Sequence, residues 1–340
     1  MPQRSLIVLP DDTAKEIIDA IDNAKQEILI KMFLFSDETL INAVVRAHER
    51  GINVRVMLNP NRQNGKSENE HTRIILEKAG IAVKDTYPVF SITHEKSMVI
   101  DDRMAFIKSL NWESENFIQT RDYAIITHHP QEVRQIIMCF EADWGRHLFE
   151  PDEKLNLIWC NNNGRKKIAG FIDETKHSLF IQNARFQDVV IVERLVQAAR
   201  RGVKVHVMAR PPHTLKLEKL VEGVGGLRIM DDVGIKVHKL ALLRQHGKMM
   251  LADGCRAIVG SINISPGSFD HRRELAIEVH DSTIIERMKE IAHHDWKHSH
   301  PLDLSDQGLL DDMDGIDDAG IEKLVIQKDD KHHDKKHHKH

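Results

Sequence analysis

Two histidine–lysine pairs stand 152 residues apart in the 340-residue chain. His94-Glu-Lys96 is followed by Asp101, and His246-Gly-Lys248 by Asp253. The register then holds without a gap: Ser109 and Asn111 map onto Ser261 and Asn263, Arg121-Asp122 onto Arg273-Glu274, and Asp143-Trp144 onto Asp295-Trp296. Maintenance of a core would repeat apolar positions, so repeated His, Lys, Ser and Asn point to chemistry. On a strand, alternate residues share a face, which would aim His94 with Lys96 and His246 with Lys248. Two imidazoles and two ammonium groups brought face to face suit an oxyanion such as a phosphodiester. Lys96 and Lys248, with Asn111 and Asn263 as neutral donors, would hold its non-bridging oxygens as charge builds. One imidazole would attack phosphorus while the other protonates the leaving oxygen and then activates water or an alcohol. Asp122 and Glu274 are candidates to fix the imidazole tautomers, with Ser109 and Ser261 behind them or on the phosphate. Asp101 and Asp253 each start a turn, where aspartate commonly caps its own backbone; they are taken as supporting members of the set.

These residues need a scaffold that presents them twice. The text around Gly51 (RAHERGINVRVML) matches that around Gly202 (AARRGVKVHVMA) at a shift of 151, so the second copy gains one residue before His246. In each unit apolar residues at helical spacing (Ile17, Ile18 and Ile21 in the first) lead into a strand at 28–33. A helix over 38–50 ends at glycine before a buried strand, Val54–Leu58. A His-bearing strand pair is predicted near 95–107, a strand near 123–127 and a closing helix near 131–147. Alternating strands and helices imply α/β sandwiches with mixed sheets covered on both faces. The expected organisation is two similar domains, 1–152 and 153–300, about a pseudo-twofold axis with the site at their interface. An acidic, then His/Lys-rich tail follows over 301–340.

The net charge is −4, and residues 301–340 account for −5, leaving the two domains near +1. A protein gripping nucleic acid by its phosphates usually has a basic excess, so nucleic acid is the less favoured partner. The tail, with seven aspartates between Asp303 and Asp318 and a KHHDKKHHKH end, reads as solvated and disordered; its histidines also have a metal-capturing composition. Three cysteines make no disulfide framework. No run approaches a membrane span, and the first residues lack a signal-peptide core. The expected address is cytoplasmic or peripheral to a membrane, with secretion left open for a chain already trimmed.

The two H-x-K-x4-D motifs, each followed by Ser-x-Asn, resemble those of the phospholipase D superfamily over about residues 10–298. The resemblance implies a covalent phosphohistidine, no cofactor and no metal in the chemistry, with His94 the nucleophile and His246 the acid/base. Expected substrates are glycerophospholipids at a membrane or micelle surface, with hydrolysis and transphosphatidylation in competition, and a monomeric enzyme. The apolar stretches Tyr87–Ile92 and Leu240–Leu243 are candidates to line an acyl entrance. A metal-independent nuclease with a basic groove between the domains is the alternative. One departure stands out: the glycine usual before the downstream serine is Gly260 in the second copy but Lys108 in the first, where it would narrow the site, contact phosphate or face outward.

Overall fold

The computed structural model describes residues 3–60, 68–211 and 217–309, and for 217–222 the backbone only. The first half runs β1 (Arg4–Leu9), α1 (Lys15–Asn23), β2 (Glu27–Met32), α2 (Glu38–Glu49), β3 (Asn53–Leu58), α3 (Glu70–Lys78), β4 (Ala82–Asp85), β5 (Ile92–Thr93), β6 (Ser97–Ile100), β7 (Met104–Lys108), β8 (Thr120–Thr127) and α4 (Pro130–Gly145). The second runs β9 (Leu157–Trp159), α5 (Gly164–Asp173), β10 (Ser178–Asn183), α6 (Val189–Arg200), β11 (Lys204–Ala209), α7 (Leu217–Asp232), β12 (Lys236–Leu240), β13 (Arg244–Gln245), β14 (Lys248–Ala252), β15 (Arg256–Gly260), α8 (Pro266–His271), β16 (Arg272–Arg273), β17 (Leu275–Val279), α9 (Ser282–Lys297) and β18 (Ser299–Pro301).

Each half is a mixed sheet. The orders β4-β3-β2-β6-β7-β8-β1 and β12-β11-β10-β14-β15-β17-β9 are equivalent strand for strand, and β18 extends the second at its β12 edge. Local chemistry repeats with the topology. Asp37 caps α2 by accepting from Leu40 N, and Asp188 caps α6 from Ile191 N. Just beyond these helices Gly51 and Gly202 adopt φ of 88° and 89°, the left-handed conformation that lets the chain turn into the next strand.

Three apolar cores follow from sheets buried on both faces. One fills the outer face of the first sheet and one the outer face of the second. The third lies between the sheets and draws on both halves: Leu29, Val99, Ile107 and Ile125 meet Met249, Val259, Leu275 and Ile277, with α4 and α9 closing the flanks. β1 was not foreseen, because Leu6–Leu9 was weighed only as a leader; it pairs antiparallel with β8.

Two expectations need correction. The first H-x-K motif is not on a strand: His94–Lys96 lie between β5 and β6, because His94 N and Glu95 N both donate to Arg273 O and interrupt the ladder. In the second only Lys248 is on a strand, as the first residue of β14. The tail does not begin at 301. Leu302 and Leu304 are buried in the second core, and Leu302 N donates to Val237 O. The terminal histidines and most of the acidic stretch, residues 310–340, lie outside the described residues.

Buried charge also joins the halves. Arg273 makes a bidentate pair with Asp143 on α4, through Nε (3.1 Å) and Nη2 (2.9 Å). Arg121 makes the counterpart with Asp295 on α9, at 2.9 and 2.8 Å. Lys31 Nζ sits 2.7 Å from Asp143 and 2.9 Å from Glu95. Removing one member of such a network strands the others in a dry interior. Asp143→Ala is therefore expected to cost about 3–5 kcal/mol. Arg46→Ala, at an exposed pair with Asp22, should cost under about 1 kcal/mol. Urea unfolding of both variants checks the contrast.

Candidate active site

Short strands exchanged between the halves deliver the histidines. β13 runs parallel to β8, placing Gln245 beside Arg121, and β16 runs parallel to β5, placing Arg273 beside Thr93. Each histidine is the next residue after its exchanged strand. Each carboxylate is the next residue after the other half's arginine. His94 Nδ1 lies 2.9 Å from Glu274 Oε2 and 3.1 Å from Ser261 O. His246 Nδ1 lies 2.9 and 3.0 Å from the two oxygens of Asp122. Both pairings cross the domain interface, a choice the sequence leaves open. An ionised carboxylate only accepts, so Nδ1 of each ring carries the proton and Nε2 keeps its lone pair for the site.

The two pairs are electrostatically unequal. Asp122 is fully buried, which raises its pKa, yet His246, Lys248 and the Ser109 hydroxyl more than compensate and hold it at about 2. It accepts from Ser109 Oγ (2.6 Å), Thr120 Oγ1 (2.6 Å) and Asn116 Nδ2 (3.0 Å). Glu274 is pushed up by burial, against the opposing pull of Arg272, and its Oε1 accepts no hydrogen bond from the described residues. His94 is held well below its ordinary value by burial and by the charges of Lys96, Lys248 and Arg272. Burial and Lys248 lower His246 to about 4, with Asp122 opposing. Both shifts favour the neutral imidazole at pH 7.

His94, His246, Lys248, Asn111 and Asn263 line a pocket of about 470 Å³. Lys96 and Lys248 fold back on their own motifs, Nζ donating to His94 O (2.6 Å) and His246 O (2.5 Å). Burial and mutual repulsion hold Lys96 well below the usual lysine range, while burial lowers Lys248 to about 8. Oδ1 of Asn111 and of Asn263 accepts no hydrogen bond from the described residues.

Other predicted members stand elsewhere. Ser109 and Ser261 are fully buried; Ser109 bonds Asp122, whereas Ser261 donates to Leu275 O at 3.3 Å, and neither lines the pocket. Asp101 and Asp253 do not reach the site and do not cap their own turns. Asp101 accepts from the backbone N–H of Lys25, Gln26 and Glu27, and Asp253 from Lys176, His177 and Ser178, stapling the loop before β2 and before β10. Lys108 neither narrows the pocket nor faces outward: it is buried, with Nζ 4.2 Å from the centre of the Trp112 ring. Gly260 has no such latitude, since a Cβ there would fall 2.4 Å from Ala276.

Sequence reasoning missed four arginines, Arg185, Arg210, Arg244 and Arg272, which line the pocket together with Glu113 and Glu115. Arg244 pairs with Glu115. All four belong to the second half; at the repeat shifts of 151 and 152 their counterparts are Leu34, Asn59, Ile92 and Thr120. Pairwise repetition was the signal that drew attention to the motifs, and these positions do not repeat.

Two histidines, each held by a carboxylate of the other half, and two buried lysines are thus shared by two like α/β domains. The chain matches the family described as "Cardiolipin synthase, PLD-like domain" twice, over residues 17–144 and 168–296, and belongs to the phospholipase D superfamily. It is an enzyme of the phosphodiesterase and phosphatidyltransferase type. A cardiolipin synthase B of Salmonella typhimurium (strain LT2) is 26% identical over 334 residues, spanning 85% of this chain and 79% of that protein. A phosphatidylserine synthase of Haemophilus influenzae shares the fold with a TM-score of 0.71 at 11% identity, over 88% of this chain and 87% of its own. A polyphosphate kinase of Porphyromonas gingivalis does so at 0.70 and 16% identity over 88% of this chain, which spans about half (48%) of that protein.

Lys248 at about 8 gives a testable pH profile. Its ammonium attracts an anionic diester only while protonated, so kcat/KM for a soluble phosphodiester should fall as pH rises through about 8. Lys248→Arg, charged at every accessible pH, should lack that limb even if its maximum is lower. An alkaline limb unchanged in the variant would assign it elsewhere.

Proposed function

We propose that the chain is a phospholipase D-type enzyme that hydrolyses or transphosphatidylates glycerophospholipids through a phosphohistidine. The observation that carries the reading is the convergence of two crossed His–carboxylate pairs and Lys248 on one pocket, with Lys96 buried against His94. His94 Nε2 attacks phosphorus and the bond to the leaving oxygen breaks, while His246 gives its proton to that oxygen. His246 then takes the proton of water or an alcohol, whose oxygen bonds phosphorus as the P–N bond breaks. Asp122, firmly ionised beside His246, favours an imidazolium there; Glu274, raised by burial, favours one less at His94. That difference supports His94 as nucleophile and His246 as acid/base. The bound diester brings a negative charge that offsets the lysines and, with Asp122, lifts His246 toward the imidazolium the first step needs, while His94 stays neutral to attack.

Two observations favour lipid as substrate. The 26% identical relative is a cardiolipin synthase. Val89 and Leu242, at 63% and 93% exposure, also project from the loops leading into Ile92 and Arg244 of the pocket lining. These are the apolar stretches expected at an acyl entrance. No helix among the described residues is long and apolar enough to cross a membrane, which suits docking from one side of a bilayer. The four pocket arginines support a second reading, a nuclease, because they concentrate positive charge that the near-neutral total conceals.

Head-group release from phosphatidylglycerol vesicles, run beside plasmid cleavage with both in EDTA, separates the readings. Lipid turnover is expected, and ethanol should divert product from phosphatidic acid to phosphatidylethanol. His94→Ala or His246→Ala should lower turnover by about a thousandfold or more with folding intact. Plasmid cleavage without lipid turnover would move the protein to nucleic acid. Complete loss in EDTA, restored by one metal, would overturn the mechanism.

A further inference from the structure

An apolar groove of about 480 Å³ lies between α6 and α7 in the second half. Val189, Val192 and Val196 wall it from α6, and Gly225, Gly226 and Ile229 from α7. Val189 is 78% and Ile229 52% exposed, so apolar surface faces solvent here. The equivalent helix of the first half, α2, opens with Glu38, the charge that a helix N-terminus favours. The second copy places Val189 at that position, where local helix stability gives no reason for it. Gly226 brings α7 against the chain, since a Cβ there would fall 1.9 Å from Phe186 O, while Gly225 beside it meets only open space.

Lining residues lead stepwise from the reaction centre to the groove. Ala184, Arg185 and Arg210 line the pocket, and the same three line a narrow cleft with Phe186, Gly223 and Leu227. Phe186 in turn lines the groove. Outward from the histidines the surface therefore runs from cationic to apolar, the order of phosphate and hydrocarbon in a glycerophospholipid. At the positions matching Arg185 and Arg210 the first half has Leu34 and Asn59, so the cationic end of this gradient belongs to the second half.

We infer that this groove holds an acyl chain of the lipid whose phosphodiester occupies the pocket; the inference rests on the lipid reading above. The test uses monomeric phosphatidylglycerols with four- to eight-carbon chains, and bis(p-nitrophenyl) phosphate as a diester with no chain. In the wild type kcat/KM should rise with each added methylene, by up to about fourfold, the factor that transfer of one methylene from water supplies. Gly225→Leu fills the groove and suits a helix better than glycine, and Val189→Glu restores the first-half residue. Both should flatten the chain-length dependence at least tenfold across the series, with bis(p-nitrophenyl) phosphate hydrolysis within twofold of wild type.

Unchanged chain-length dependence in both variants would overturn the inference, as would equal loss on every substrate, which marks a structural role. Wild-type lipid turnover indifferent to chain length would sink the groove and leave the lipid reading standing. Hydrolysis of bis(p-nitrophenyl) phosphate without turnover of any phosphatidylglycerol would sink both.

Discussion

Two buried ion pairs and two histidine–carboxylate hydrogen bonds exchanged across the interface govern both the fold and the site. The dipeptide Arg121-Asp122 reaches into the second half, its arginine to Asp295 on α9 and its carboxylate to His246. Arg273-Glu274 reaches back in the same way, to Asp143 on α4 and to His94. Adjacent residues thus anchor the interface and orient an imidazole. Charges this deeply buried tolerate no sliding, because a slip would strand a guanidinium or a carboxylate without water. The imidazoles therefore inherit their positions from the packing of the halves. A phosphoryl-transfer site gains most from such fixed placement, since its groups must meet one phosphorus from opposite sides.

Departures from the repeat fall where the two halves would need different chemistry. Aspartate and glutamate alternate as histidine partners, and only the aspartate is surrounded by Ser109, Thr120 and Asn116 as donors. Lys31 answers Asp143 and Glu95 in the first half, while Gln182 donates to Asp295 in the second. The first network is ionic and the second partly neutral, yet each holds one arginine–carboxylate pair in place. A symmetric scaffold with asymmetric second partners is a physical route by which two copies of one motif divide nucleophile from acid.

Much of this was legible in the sequence because it is written twice. The helix ends at Gly51 and Gly202, the buried strands after them and the His, Lys and Asn residues of the pocket all follow from the repeat. What was not legible depends on geometry that period and composition do not encode. The H-x-K segment has the alternation of a strand, but Arg273 O takes both His94 N and Glu95 N, so the ladder breaks there. Asp101 looks like an ordinary turn aspartate; its acceptors are engaged by a loop some 75 residues earlier in the chain. Ser109 and Ser261 repeat as faithfully as the pocket residues, yet repetition marks shared constraint, whether on substrate or on the carboxylate behind it.

Net charge was the least informative quantity, and the reason is spatial. The two domains sum to near +1, which argued against a grip on phosphates. Arg185, Arg210, Arg244 and Arg272 nevertheless gather around the pocket, with Glu113 and Glu115 also in its lining. Each arginine at a low-dielectric wall acts on an anion in the pocket far more than a distant surface carboxylate can cancel through water. A local field of this kind requires no basic excess overall. All four arginines come from the second half, so the pocket's charge is asymmetric in a way that pairwise repetition does not announce.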